Sequence, residues 1–150
     1  MGAVSEAGRE RFYLDSNTII AIVERQSAFT PAQERFLKAV DAGDISVFSS
    51  GVALAECLVK PIRDGDRVRL GALLRIFEDE RTLPLVPADR GIFVRAAELR
   101  ALDYLQLPDA IHVACALRAG CDVFLSADRR LRMPDTMRRI AFDDLQFGPE

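Results

Sequence analysis

A chain of 150 residues, 49% hydrophobic and 29% charged, has the composition of an ordinary globular protein and enough length for one proper core. The formal charge of −3 excludes an overall basic field that would announce a nucleic-acid partner, although acids gathered in one cleft can leave a basic rim. No stretch reaches the ~20 apolar residues of a membrane-crossing helix, and Cys57, Cys115 and Cys121 form no CxxC pair.

Each cysteine lies among apolar residues, which predicts small buried hydrophobes, a reducing cytoplasmic setting and no zinc site. Residues 1–10 are polar without an apolar core, so they are expected to fray as a leader and not to serve as a secretory signal. Lys38 and Lys60 are the only lysines. The arginine excess suits phosphate recognition, and a GC-rich coding bias would produce the same skew.

Phe12-Tyr13-Leu14 reads as a short buried strand that ends in Asp15, and Thr18 to Arg25 as an amphipathic helix. Thr30-Pro31 is a helix start, with Phe36, Leu37 and Val40 at helical spacing and a stop at Gly43. Ile45 to Phe48 is a second strand. A helix carrying Val52, Ala55, Leu58 and Val59 follows and is expected to end at Pro61. After the turn at Asp64-Gly65-Asp66 comes a helix with Val68, Leu70, Leu73, Leu74, Ile76 and Phe77.

Leu83 to Val86 is a short strand whose Pro84 places it at an end or an edge. A helix from about Asp89 puts Ile92, Phe93, Ala96, Ala97 and Leu99 inward, and Asp109 to Ala119 is apolar nearly all round, hence buried. Gly120 ends that helix and Asp122 to Leu125 is a strand. Ser126 to Leu131 reads as a junction with a short helical turn, and Arg139 to Phe142 as a last strand. Strands alternate with helices without repeats or linkers, so the fold class is α/β with a mainly parallel sheet, one domain over 1–150.

Four acids stand out. Asp15 lies at a strand–helix junction, where open α/β sheets bind ligands, and equally where a helix wants an N-cap. Glu56 lies mid-helix with Val52 and Val59 as neighbours, and an ion pair with Lys60 would contribute only about 0.2–0.5 kcal/mol. Asp109 follows Pro108 in a first helical turn, where charge–dipole attraction contributes about 0.3–1 kcal/mol. His112, three residues on, is read as a supporting hydrogen-bonded residue. Asp128 follows the strand ending at Leu125 and could cap the turn at Arg129.

Three of the four thus have structural explanations singly. Jointly, parallel strands bring Asp15 and Asp128 to one edge, and clustered carboxylates raise one another's pKa unless a hard cation relieves them. Without a Cys/His set, Mg²⁺ fits such donors better than zinc.

The order Leu14-Asp15-Ser16-Asn17, Ser50…Glu56, Leu107-Pro108-Asp109-Ala110-Ile111-His112 and Phe124-Leu125-Ser126-Ala127-Asp128-Arg129 resembles the PIN domain, and within it the VapC-type toxins of toxin–antitoxin pairs. The resemblance runs from about Phe12 to Phe142. It implies a three-layer α/β/α fold with a parallel sheet and a Mg²⁺- or Mn²⁺-dependent ribonuclease. It also implies a homodimer and a small antitoxin that occludes or disrupts the active site.

Asp15, Glu56 and Asp109 match the family's three central acids, Asp128 the more variable fourth, Ser126 the Ser/Thr of that corner, and Asn17 a polar residue beside the first acid. The implied reaction is in-line attack of water on an RNA phosphodiester, leaving a 5′-phosphate and a 3′-hydroxyl. Arg25, Arg63, Arg67, Arg129 and Arg130 are candidates for gripping the substrate. Two other readings stay open. One is a PIN-like module that binds RNA or protein without cutting. The other is a haloacid-dehalogenase-like phosphatase, which Asp15-Ser16-Asn17-Thr18 approaches but in which Asn17 replaces the second acid and no lysine falls between Asp109 and Asp128.

Overall fold

Alternation along Phe12-Tyr13-Leu14 decides how the central sheet is covered, because successive side chains of a strand point to opposite faces. In the computed structural model, which describes residues 9–25 and 28–148, these three residues lie in the first strand, β1 (Arg11–Leu14). The other strands are β2 (Ser46–Ser50), β3 (Leu85–Val86), β4 (Val123–Leu125) and β5 (Arg138–Ile140). They form one sheet in the order β3-β2-β1-β4-β5, with every neighbouring pair parallel. Phe12 is level with Val47 and Val123, and Leu14 with Leu125.

The helices are α1 (Ser16–Arg25), α2 (Pro31–Ala42), α3 (Gly51–Asp64), α4 (Arg67–Glu78), α5 (Arg90–Asp103) and α6 (Leu107–Arg118). Phe12, Leu14, Val123 and Leu125 pack with Ile19 of α1, Phe36 of α2, Cys57 of α3 and Leu73 of α4. Tyr13 and Phe124 face the other way, into Ile92 and Leu99 of α5 and Val113 and Cys115 of α6. The result is a three-layer α/β/α arrangement, the fold class expected from the alternating pattern. No helix among the described residues is long and apolar enough to cross a membrane. The leader expected to fray lies, through residue 8, outside the described residues.

Several element boundaries differ from the sequence expectation for identifiable reasons. Helix α3 does not stop at Pro61. That residue is buried inside it, and the stop comes at Gly65, whose φ of 66° lets the chain turn left-handed while its N–H bonds the carbonyl of Ile62. The inward stripe of α3 is Ala53, Cys57 and Pro61, four residues apart, so Ala55 and Val59 are exposed and Glu56 sits at the rim of the helix, not on a buried face. On α5, Phe93 and Ala97 point outward, because the spacing of Ile92, Ala96 and Leu99 uses up the inner face.

Between Ser126 and Leu131 there is no helical element but a turn closed by the N–H of Leu131 on the carbonyl of Asp128. The last strand ends at Ile140, and Phe142 opens a 3₁₀ turn instead of extending it.

Thr30 caps α2 as its Thr-Pro start suggests, and Gln33 makes the cap reciprocal: its Oε1 accepts the N–H of Thr30 at 3.0 Å. The same amide donates from Nε2 to the carbonyl of Phe142 at 2.9 Å, which ties the C-terminal segment to α2. Because Gln33 is buried, truncation removes two bonds and strands their partners. Gln33→Ala is expected to lower unfolding free energy by about 2–3 kcal/mol, read as a shift of the urea midpoint at unchanged slope.

Candidate functional site

The strand order reverses between β1 and β4, and at such a switch point the loops leaving the strand carboxyl ends separate to form a crevice. Asp15 leaves β1 there, and Ser126 to Asp128 leave β4 beside it. Helix α6 leads straight into β4, so its N-terminal turn, with Asp109, returns to the same edge. Helix α3 starts from the carboxyl end of β2 and contributes Glu56. Asp15, Ser16, Asn17, Glu56, Asp109, His112, Phe124, Ser126 and Asp128 line one polar pocket of about 80 Å³. All four acids read from the sequence therefore meet in one hollow, with Asn17, His112 and Ser126 in its wall.

Each acid is held differently. Asp15 caps α1, its Oδ1 accepting the N–H of Thr18 at 2.8 Å. Asp15 is therefore the capping residue of α1. The Ser16 hydroxyl helps hold the Glu56 carboxyl down. Thr18 adds a second tie, its hydroxyl donating to the carbonyl of Leu125 at 2.9 Å and joining α1 to β4. Glu56 turns to His112 and not to Lys60: Oε1 lies 2.7 Å from Nε2 of the ring. That bond, more than any other influence, holds Glu56 below the usual carboxylate range against the opposing effect of its partial burial.

Asp128 accepts the backbone N–H of Arg130 at 3.0 Å and its guanidinium at 3.2 Å, which lowers its pKa. Ser126 is fully buried and its Oγ accepts the N–H of Asp128 at 3.1 Å, fixing the turn that presents the acid.

Asp109 is the exception. Burial pushes its carboxyl up, His112 opposes that, and the charges of Asp128, Glu56 and Asp15 push it up further. Behind the acids lies a buried polar string. His112 is 3% exposed, and its Nδ1 lies 2.6 Å from Tyr13 Oη, which is also 2.8 Å from Ser50 Oγ.

The arginine candidates separate. Arg25 pairs with Asp143 and shares a neighbouring pocket with Asn17, Thr18 and Ala127, while Arg130 stands exposed beside Asp128. Arg129 is exposed on the same turn. Arg63 lies seven residues beyond Glu56, roughly 10 Å along the helix at 1.5 Å per residue, and Arg67 opens α4; neither lines the acid pocket. Tyr13 and Arg139 carry no site signal in the sequence, and Ser16 and Ser50 stand only within the family motifs. Arg139 reaches from β5 to the carbonyl of Ser126 at 2.6 Å. Tyr13, Ser50 and Arg139 each act on a residue of another strand or helix, so no local spacing marks their roles.

The donor set suits a hard divalent cation: four carboxylates, no thiolate, and a shared repulsion that such an ion would relieve. Even so, among the described residues no three His, Cys, Asp or Glu side chains stand close enough together to hold a metal ion. Three of the acids are tied to their own donors, namely the Thr18 amide, His112 and Arg130.

With chelator present, the repulsion at Asp109 is an unrelieved cost. The helix dipole offsets it by only about 0.3–1 kcal/mol, and the raised pKa shows that burial and like charge prevail. Asp109→Asn is thus expected to raise the melting temperature in EDTA by about 2 °C. A carboxyl whose folded pKa is raised destabilises the fold above that pKa, and the cost fades as pH falls from it to the lower value of the unfolded chain. The gain should therefore fade toward acid pH, which a series of calorimetric scans would show.

The PIN domain family model matches residues 12–136. The fold is similar to that of VapBC2 from Rickettsia felis bound to a DNA fragment from their promoter. The match there has 13% identity and a TM-score of 0.67, over 87% of this chain and 98% of that one. It is also similar to DNA-bound VapBC from Salmonella typhimurium, with 19% identity and a TM-score of 0.60 over 89% of this chain and 98% of that one. No curated protein matches by sequence. With the matched segment spanning four of the five strands, all six helices and all four acids, the chain belongs to the PIN domain family, a family of nucleases.

Proposed function

We propose that this protein is a divalent-metal-dependent endoribonuclease and the toxin of a type II toxin–antitoxin pair. The observation that carries the reading is the convergence of Asp15, Glu56, Asp109 and Asp128, from four different elements, on one polar pocket at the strand carboxyl ends. These four carboxylates would hold Mg²⁺ or Mn²⁺, with Asn17, Ser126 and His112 supporting them. The chemistry such an ion supplies when bound is polarisation of a phosphoryl oxygen and activation of water at neutral pH.

The chain's own residues do the remaining work. His112 keeps the Glu56 carboxylate ionised and aimed at the pocket. Arg130 is 91% exposed, so its bond to Asp128 costs little to break and its fork is free to take a backbone phosphate instead. Arg25 and Arg129 flank the same edge, and Arg63 and Arg67 would meet only a longer stretch of RNA. Such contacts position a strand, while base stacking and loop shape choose its sequence.

The partner assignment rests on the likeness to the two VapBC structures. By it, the chain takes a cognate antitoxin; the homodimer is proposed from the family resemblance of the sequence motifs, and the cytoplasmic setting from the three unpaired, buried cysteines. A second reading, an RNA- or protein-binding module that does not cut, is favoured by one observation alone: among the described residues no three His, Cys, Asp or Glu side chains are gathered closely enough to hold a metal ion.

Purified protein incubated with structured RNAs in Mn²⁺ or Mg²⁺ separates the two. Cleavage is expected, abolished by EDTA. Asp15→Asn should reduce it more than about 100-fold, beyond the 10–100-fold typical of losing a supporting partner. Asparagine caps a helix as well as aspartate does, so α1 should stay intact and the loss can be assigned to the carboxylate. RNA binding without cleavage at any metal concentration would establish the second reading. Cleavage that survives both controls would overturn the nuclease assignment.

A further inference from the structure

The turn between α5 and α6 breaks two local rules, and neither breach is repaid by packing. Helices α2 and α3 end in the left-handed region on Gly43 and Gly65, the residue that such a position favours. Helix α5 ends there on Tyr104, with φ 58°, the one non-glycine residue of positive φ among the described residues. Its ring is not drawn into the core in return, since Tyr104 is 82% exposed. Two residues on, Gln106 holds the N-cap position of α6 without a side-chain cap bond. Each of the other five helices has an Asp, Ser or Thr making that bond. Locally disfavoured residues that packing does not explain point to binding.

The two side chains border an open hollow of about 490 Å³, lined by Ala97, Arg100, Ala101, Tyr104, Leu105 and Gln106. That size lies within the roughly 300–1,000 Å³ of small-ligand sites. Leu105, buried between Tyr104 and Gln106, anchors the turn. Arg100 donates from Nε to the carbonyl of Leu105 at 3.3 Å, which steadies its guanidinium. It joins no ion pair among the described residues. An exposed aromatic face, a steadied arginine fork and an amide over a floor of two alanines suit a nucleotide. The ring stacks a base, the amide bonds the base edge, and the fork takes a phosphate.

The hollow also lies near the acids. Tyr104 is five residues before Asp109, so their Cα atoms are no more than about 18 Å apart even at full extension. From this we infer that the α5–α6 turn is a second RNA subsite, where Tyr104 stacks an unpaired base of the strand whose scissile phosphate lies at the acid pocket. The base is unpaired because a base inside a duplex offers no open face. The inference rests on the nuclease reading for its substrate, but binding at the turn needs neither metal nor cleavage.

Tyr13 and Tyr104 are the only tyrosines, and the chain has no tryptophan. Tyr13 is wholly buried, so a collisional quencher reaches the emission of Tyr104 alone. The probe is a labelled single-stranded oligoadenylate, titrated into the full chain in EDTA so that nothing is cut. At saturation the quencher-accessible emission is expected to disappear. Tyr104→Gly should weaken binding, read as anisotropy of the label, about tenfold, as loss of one base stack does. Glycine suits the left-handed turn better than tyrosine, so this variant should melt no lower than the wild type. Tyr104→Phe keeps the ring and should bind like the wild type, and Arg100→Gln should reduce the salt slope by about one.

A wild type that does not bind the oligoadenylate, or whose tyrosine emission stays accessible at saturation, would overturn the inference even if the variants failed to fold. So would a folded Tyr104→Gly protein of unchanged RNA affinity. If that protein also sediments as a smaller species, the turn is a contact between copies of the chain. Cleavage in Mn²⁺ with binding indifferent to Tyr104 would leave the nuclease reading standing and remove the subsite. Binding that depends on Tyr104, without cleavage in any metal, would do the reverse.

Discussion

The site depends on one constraint: β1 is paired in parallel with β2 on one side and β4 on the other. Parallel strands align their carboxyl ends, and the reversal of strand order between β1 and β4 opens the crevice there. A β1 without this pairing would still carry Asp15, but Asp128 and Asp109 would not meet it. The pairing is secured by alternation, since Phe12 and Leu14 fill one layer while Tyr13 fills the other. Slipping the register by one residue would exchange those faces and remove both the core and the polar string.

Gathering four acids in so small a volume opposes folding, and the structure shows how most of that opposition is met. Asp15, Glu56 and Asp128 each take a local donor, and two of these have pKa values held down by it. Asp109 is left to burial and to the charges of the others. The pocket therefore pairs carboxylates held by their own hydrogen bonds with one held up by repulsion, the arrangement that a hard cation would relieve most. A larger cavity, about 260 Å³ between α1, α2, α4 and the sheet, is apolar, lined by residues such as Ile22, Leu37 and Ile76. Chemistry here follows the charge and not the volume.

Much of this was legible in one dimension. Asp15, Glu56, Asp109 and Asp128 could be picked out because each breaks a local pattern, an acid at a strand end or in an apolar helix, and their order matched a known family. The long-range partners around them could not. Tyr13 looks like an ordinary strand aromatic, and Ser50 like a helix cap, which it also is. Arg139 lies on a separate strand and touches Ser126 only once β5 has paired with β4. The misplaced end of α3 has a similar origin. Pro61 is a strong local stop signal, yet its burial in the core and the left-handed turn available at Gly65 carry the helix past it.

Periodicity and punctuation in the sequence determined the elements, the parallel α/β class and the four acids, because hydrophobic spacing and capping are local properties of the chain. The donors of Asp15 and Asp128, at Thr18 and Arg130, are local as well, and the tertiary structure alone decided the surroundings of the other two acids. Asp109 was left without relief, and Glu56 was given a histidine whose far nitrogen faces a tyrosine on another element. Those choices come from side chains brought together across the sheet by residues up to 99 positions apart, and no local pattern encodes a contact at that range.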